Sequence, residues 1–492
     1  MTFDNLLVEK RFGRGFEADN VAGSVTVNGN TQINNENSAV ASAVDIRNSS
    51  GLFTFNYLQA TGVKGSPGVN LQDNTGTTSV RTLDVTSDGA TAVRAFNAGT
   101  FKINPAVNGV VDLTKGGTIA AVNGTAIDIE KTALEANLMA VSSSGAATGL
   151  RLVNDTGSFT VWGSGVDSSG GTIQGATTGV FLKDVETVGF NFMHFDGNGT
   201  GIDAENTKLL VFNNSKVINS TGFGLDTVDV QALNITNSIF QGNSGLNVNS
   251  QFSKVLAYSY TFNNSLFVSD ASDNVLLAAT GGGAGSSLNL FTSHVEFDNS
   301  VVGTTGMRVN WNGALSGTID GNVFNGIGGT NTGLAVTNTG TTLTNLAITN
   351  NVMRITNGNG TGVNLNTVSS SQVSLVNNLV ELSGASGTGF KFSTVSPTFT
   401  ITSNTIRDFT GGSTGMLFDS LTGPGSVTLN SNLIDLSTQS VLLDRGIIFS
   451  SITNSIQLFG TQNNTIQNSA IDFAVPAGTT TGSVKINGAN RP

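Results

Sequence analysis

The chain of 492 residues has no cysteine, six prolines, two tryptophans, three tyrosines and two histidines, His194 and His294. Without cysteine there is no disulfide framework, no thiolate metal site and no cysteine nucleophile. Two histidines cannot build a His-rich metal centre. No metal and no cofactor are expected, and isolated calcium sites among the surface Asp residues are the alternative. Charged residues make up 11%, against about 25% in an ordinary soluble domain. The Ala, Glu, Lys and Leu that build helical bundles are used sparingly beside Gly, Asn and Thr. No window approaches about 18 apolar residues, so no transmembrane helix is expected. The opening MTFDNLLVEKRFGRGFEADN carries charges where a signal peptide needs an apolar stretch. Either the protein is not exported by that route or this is a mature fragment with an added Met1. The fragment is the expectation.

What is present is 62 Gly, 29 Phe and abundant Asn, Thr and Ser. Low charge with such a composition suggests disorder. The phenylalanines and a mean hydropathy of +0.07 supply more apolar surface than disordered chains carry. The net charge is −11. That charge repels phosphates and anionic membranes, so nucleic acid is not an expected partner, and it weakens the case for acidic polysaccharides.

A short phrase recurs: a small residue, an apolar one, any residue, then an apolar one. It begins at Gly15, Ala43, Gly68, Ala92, Ala126, Gly149, Gly179, Gly201, Gly224, Gly245, Asn274, Gly306, Gly333, Gly362, Gly389, Gly415 and Ser440. These 17 copies stand 21 to 34 residues apart, 27 on average. A second phrase follows on the same beat: apolar, any, Asn or Ser, Asn or Ser, apolar. Examples start at Ile235, Phe262, Phe297, Ile348, Leu375, Ile401, Leu429 and Ile452. Asn suits a left-handed corner, and stacked Asn can also bond coil to coil as a ladder.

Apolar and polar residues alternate within each phrase, as Val363-Asn364-Leu365 and Phe390-Lys391-Phe392 do. That is strand periodicity. A unit of this length with two or three short strands is one coil of a solenoid, and is too short for a strand–helix–strand crossover. Seventeen coils at about 4.8 Å would span about 80 Å. Phe fills a dry interior column where Tyr and Trp would each need a polar partner. Scarce Pro fits strands that all donate N–H groups to a neighbour.

The T-G-apolar-x-apolar phrases at 200–204, 332–336, 361–365, 388–392 and 414–418, with the I-T-N-S/N phrases, resemble right-handed parallel β-helices of the pectate-lyase-like superfamily. The likeness is nearest to repetitive surface proteins and autotransporter passenger domains of Gram-negative bacteria. It covers roughly residues 15 to 470. It implies an all-β, right-handed parallel β-helix of about 17 coils. It says little of function, because the same coil serves lyases, hydrolases, phage tailspikes and adhesins.

The polysaccharide-cleaving pattern of that superfamily is missing. No G-H-G or D-D occurs, and Arg354-Ile355-Thr356 lacks the Lys of an R-I-K. The outward residue of the first phrase is mixed, running from Glu17 and Asp45 through Asn247 and Leu276 to Leu417 and Leu442. One pair stands out: Asp203 and Asp226 should stack on successive coils. Carboxylates about 5 Å apart would suit a retaining glycosidase, but two solvated surface acids are the expectation. His194 aligns with Lys216 and reads as a surface side chain. Trp162 follows inward Phe159 and Val161, so it should point outward. It is expected to anchor a loop, and stacking on a sugar is the alternative. The Gly-rich stretch 281–287 lacks the Lys of a phosphate loop and the Asp of a calcium-binding nonapeptide. It reads as a turn.

Residues 1–14, with Asp4, Glu9, Lys10, Arg11 and Arg14, read as a cap or a join to an upstream domain. Residues 15–467 form the β-helix and 468–492 a C-terminal cap or tail. A bulge or bend is expected between Gly245 and Gly306, and no linker splits the chain. The expected function is a non-enzymatic bacterial cell-surface or secreted structural or adhesive protein, a stiff stalk or passenger displaying binding loops. Its partners would be host, cell-surface or matrix glycans or proteins, with end-to-end self-association. The alternatives are a polysaccharide lyase or glycoside hydrolase, and a phage tailspike-like glycan-binding protein.

Overall fold

A computed structural model describes the chain except for residues 10–13, 35–40, 270, 282–284, 300–302, 329–330, 341–343, 367–370, 384–385, 394–396, 420, 422–424, 437–443, 451–455, 461–463, 470, 475–483, 487–488 and 491–492. The described residues form β-strands and connecting turns with no α-helix. Two compact units, Met1–Asn243 and Ser244–Pro492, are both built from parallel β-helical coils. The protein has about 15 turns in all, against the 17 coils counted from the phrases.

In the first unit one coil consists of the strands Thr178–Lys183, Thr187–Asn191 and Met193–Asp196. The next consists of Thr200–Glu205, Leu209–Asn213 and Lys216–Ile218. They pair in parallel, with Val180 beside Ile202, Phe190 beside Phe212 and His194 beside Lys216. The alternation seen in sequence is the alternation of burial: Val180, Leu182, Ile202 and Ala204 are interior, while Phe181 and Asp203 between them face out. The small residue of the first phrase is fixed by contact between coils. A Cβ on Gly201 would stand 2.4 Å from the carbonyl oxygen of Gly224, so nothing larger than hydrogen fits. At the N-terminal end, Thr2–Phe3 and Leu6–Glu9 pair in parallel with Ser24–Asn34.

In the second unit the coil Thr361–Asn366, Ser371–Val376 and Leu379–Leu382 is followed by Thr388–Ser393, Pro397–Thr402 and Thr405–Asp408 in parallel register. Phe rings stack through the interior. The Phe392 and Phe418 centroids lie 4.6 Å apart, and those of Phe418 and Phe449 4.5 Å apart, with nearly parallel planes. Tyr and Trp also enter the core. Trp311 and Tyr258 are buried against Phe252. Their polar atoms are satisfied locally: Trp311 Nε1 donates to the Ala314 carbonyl at 3.0 Å, and Tyr258 Oη donates to that of Lys254 at 3.0 Å.

The two adjacent polar positions of the second phrase have separate jobs. The first takes the left-handed corner, as Asn350, Asn377, Ser403 and Ser431 do with φ between 54° and 59°. The second turns inward and bonds to its counterpart on the next coil. Asn322, Asn351, Asn378, Asn404, Asn432 and Asn464 form a continuous chain of Nδ2 to Oδ1 hydrogen bonds of 2.8–3.0 Å.

One reading of the phrases needs correction. Asn247 is not an outward residue. The strand in that coil is Val248–Phe252, in register with Val275–Ala279, and Asn247 is fully buried before it, with Nδ2 donating to Asn274 Oδ1 and the Val268 carbonyl. Ser440 and Leu442 lie outside the described residues, and Leu417 pairs instead with Ile448 of Arg445–Phe449. The strands from Val248 to Trp311 keep straight register. Register shifts stand at Val27/Asn30, Ala60/Val63 and Phe324/Ile327. Parallel pairing continues past residue 467 into Ile471–Ala474 and Val484–Ile486.

Candidate functional site

A developed surface feature lies on the first unit, at the corner that follows the strands Thr156–Val161, Thr187–Asn191 and Leu209–Asn213. Val161 pairs with Phe190, and Asn191 pairs with Asn213. Trp162, the residue after Val161, therefore stands in line with Asn191 and Asn213 on successive coils. In the last of these coils the corner that follows is an ordinary one, with Asn214 at φ 50°. The other two coils depart from it. After Trp162 the chain leaves the coil in a loop, 163–170, that returns where Gly170 N–H donates to the Phe192 carbonyl at 2.9 Å. In the next coil the corner residue is Phe192, at φ 54°. A bulky side chain with that backbone is a true outlier.

These residues enclose a groove of about 630 Å³ lined by Leu113, Met139, Trp162, Asn191, Phe192 and Asn213, among others. That volume falls within the ~300–1,000 Å³ range of small-molecule sites, and so does the mix of apolar walls with a few polar groups. The Trp162 ring is held in place because its Nε1 donates to Asn137 Oδ1 at 3.1 Å. The amides of the floor are also fixed. Asn191 Nδ2 donates to the Val161 carbonyl at 2.8 Å, Asn213 Nδ2 to Asn191 Oδ1 at 3.3 Å, and Asn214 Nδ2 to Asn213 Oδ1 at 3.0 Å.

Phe192 also lines a second cavity of about 240 Å³, with Asp167, Asn214, Lys216 and Asn237. The loop after Trp162 places Asp167 there. Ser169 Oγ braces the loop by accepting from the Ser164 N–H at 2.8 Å, and Lys216 Nζ donates to Asp167 Oδ2 at 2.5 Å. That ammonium holds the Asp167 carboxyl below the usual range. His194 lies beside Lys216 in register, as its alignment implied, and it is half-buried. Its Nε2 is buried without a hydrogen-bond partner.

Asp203 and Asp226 are stacked on neighbouring strands, Cα partner to Cα partner. Burial, and then the charges of Asp226 and Glu205, push the Asp203 carboxyl up, with Lys183 opposing. Glu205 is held by Lys183 at 2.7 Å. Neither acid lines the groove, and the pair sits on the other sheet of the coil. Further along the same outward column Asp128 and Arg151 pair at 2.9 Å. Among the described residues no group of three or more His, Asp or Glu is placed to hold a metal ion.

Trp162 was visible in sequence. Phe192, Asp167 and Lys216 were not singled out as site residues. Phe192 leaves one signal, a Phe standing where the next coils have Asn214 and Asn237. Asp167 reaches Lys216 across 49 residues by way of an irregular loop, so no repeat register marks it. Comparison with protein-family models, with curated proteins and with solved structures gives no match. The parallel β-helix itself is the part of the superfamily resemblance that the structure carries.

Proposed function

We propose that this chain is a non-enzymatic, adhesive surface or secreted protein whose β-helical wall binds glycans through the Trp162 groove. The observation that carries this reading is the fixed Trp162 ring in line with the fixed Asn191 and Asn213 amides along one groove. The apolar face of a pyranose stacks on an indole, and the hydroxyls at its rim take hydrogen bonds from amides that both donate and accept. The backbone strain at Phe192 supports it too, because strained corners persist where a side chain is needed for a task. Display at a bacterial surface belongs to the same proposal, in keeping with the resemblance to passenger domains. The test is retention of the full chain on a panel of immobilised glycans. Wild-type protein is expected to bind at least one of them, and Trp162→Ala to lose at least tenfold in affinity. Equal retention of both proteins would overturn the reading.

A further inference from the structure

We infer that the groove holds two sugar subsites, one on each side of Phe192, and takes an uncharged oligosaccharide of at least two units running from coil to coil. This rests on the glycan-binding reading above and adds the length and charge class of the ligand.

Phe192 lines both cavities, the larger with Trp162 and the smaller with Asp167 and Lys216. A ligand filling both must pass its ring, so the ring serves as a shared wall. The lining residues Trp162, Asn191 and Asn213 rise one per coil, at about 4.8 Å per step. That step is close to the length of one sugar unit, so a chain running in this direction meets a new amide with each unit. The Asn191, Asn213 and Asn214 amides are linked in series, which fixes where each presents its free donor and acceptor.

The second subsite is built differently. Lys216 supplies N–H donors and Asp167 supplies carboxylate acceptors, held together at 2.5 Å. Two neighbouring hydroxyls on a pyranose offer one acceptor and one donor at similar spacing, so the pair can engage a vicinal diol. The two charges cancel, so the ligand need bring none. The carboxylate of an acidic sugar would have to displace Asp167 from Lys216, and would approach a chain of net charge −11, which repels polyanions.

The test is calorimetric titration of the full chain with cello-, malto- and manno-oligosaccharides of one to six units and with an oligogalacturonate. Circular dichroism checks that each variant is folded. In at least one neutral series, affinity is expected to rise at least tenfold between one unit and three. Lys216→Met and Asp167→Asn should each remove most of that gain. Trp162→Ala should abolish binding at every length. Affinity that does not grow with length, or that is indifferent to Lys216→Met, would overturn the two subsites while leaving the glycan reading intact. Preference for the oligogalacturonate would overturn the charge class. No binding of any of these sugars would overturn the inference, and binding unaltered in Trp162→Ala would overturn both the inference and the reading beneath it.

Discussion

Asn351 Nδ2 donates to Asn378 Oδ1 at 2.9 Å, and both side chains are buried. The same Oδ1 accepts the Asn351 backbone N–H at 3.1 Å, and Asn378 Nδ2 donates to the Ile348 carbonyl at 2.8 Å and to Asn404 Oδ1 at 2.9 Å. One amide thus satisfies polar groups on both neighbouring coils. Asn378→Ala leaves several of them buried and unpaired, at about 1–3 kcal/mol each. A loss on the order of 3 kcal/mol is expected in urea denaturation of the full chain. A loss below about 0.5 kcal/mol, the usual size of a surface substitution, would show that the ladder is not holding the coils together.

The ladder also shows how far the sequence could be read. Period-two alternation at Val363 and Leu365, or Phe390 and Phe392, marks inward side chains because a strand allows only two directions. The Asn pairs were legible as corner or ladder, and the structure uses adjacent residues for both. Reading failed where the coil is irregular. Gly245 begins a phrase of the right pattern, but the strand starts at Val248, since four residues with two apolar positions cannot fix a register alone. The groove was half legible. A regular coil predicts that Trp162 points out, whereas the loop that brings Asp167 to Lys216 follows no period. Phe192 was hidden because an apolar residue in a strand-rich chain reads as core.

Phe192 occupies a corner that Asn214 and Asn237 occupy at φ 50° in later coils. Asn tolerates this backbone, and a Phe there stores on the order of 1 kcal/mol or more of strain. Phe192→Asn is therefore expected to raise stability by about 1 kcal/mol, read as an upward shift in thermal or urea midpoint, while glycan retention falls. Such opposed effects are the usual sign of a site kept at the expense of stability. A variant that is less stable than wild type would contradict the strain argument, whatever its binding.

Asp155 is buried at a corner where its Oδ1 accepts the Thr132 N–H at 2.9 Å and its Oδ2 that of Val153 at 3.0 Å. Burial outweighs these bonds and pushes its carboxyl up to about 7. An unfolded Asp titrates near 3.9. Between those values the folded chain holds a proton that the unfolded chain has released. The contribution of this group therefore weakens as pH rises from about 4 to about 7 and is constant above. The full swing is up to about 4 kcal/mol. Urea denaturation at pH 5, 6 and 8 should show wild type losing stability relative to Asp155→Asn across that window. A constant difference between the two proteins would mean that Asp155 is ionised throughout.

Asp203 and Asp226 give the sharpest test of whether any catalysis resides in this chain. A glycosidase needs its two acids beside the bound sugar bond. Here the acids stand on one sheet and the aromatic groove at a corner of the other. Burial raises Asp203 first, and the Asp226 charge adds to it. Asp226→Asn should therefore bring the Asp203 titration, followed by NMR, back toward the ordinary range. Both acids are partly exposed, so removing the repulsion at pH 7 should gain less than about 1 kcal/mol. Glycan retention by Asp203→Asn and Asp226→Asn is expected to equal wild type, and the wild-type chain to release no reducing ends from neutral or uronate polysaccharides. Release that disappears in both variants would place the chemistry on this pair, away from the groove. Release that survives both would place the chemistry elsewhere in the chain.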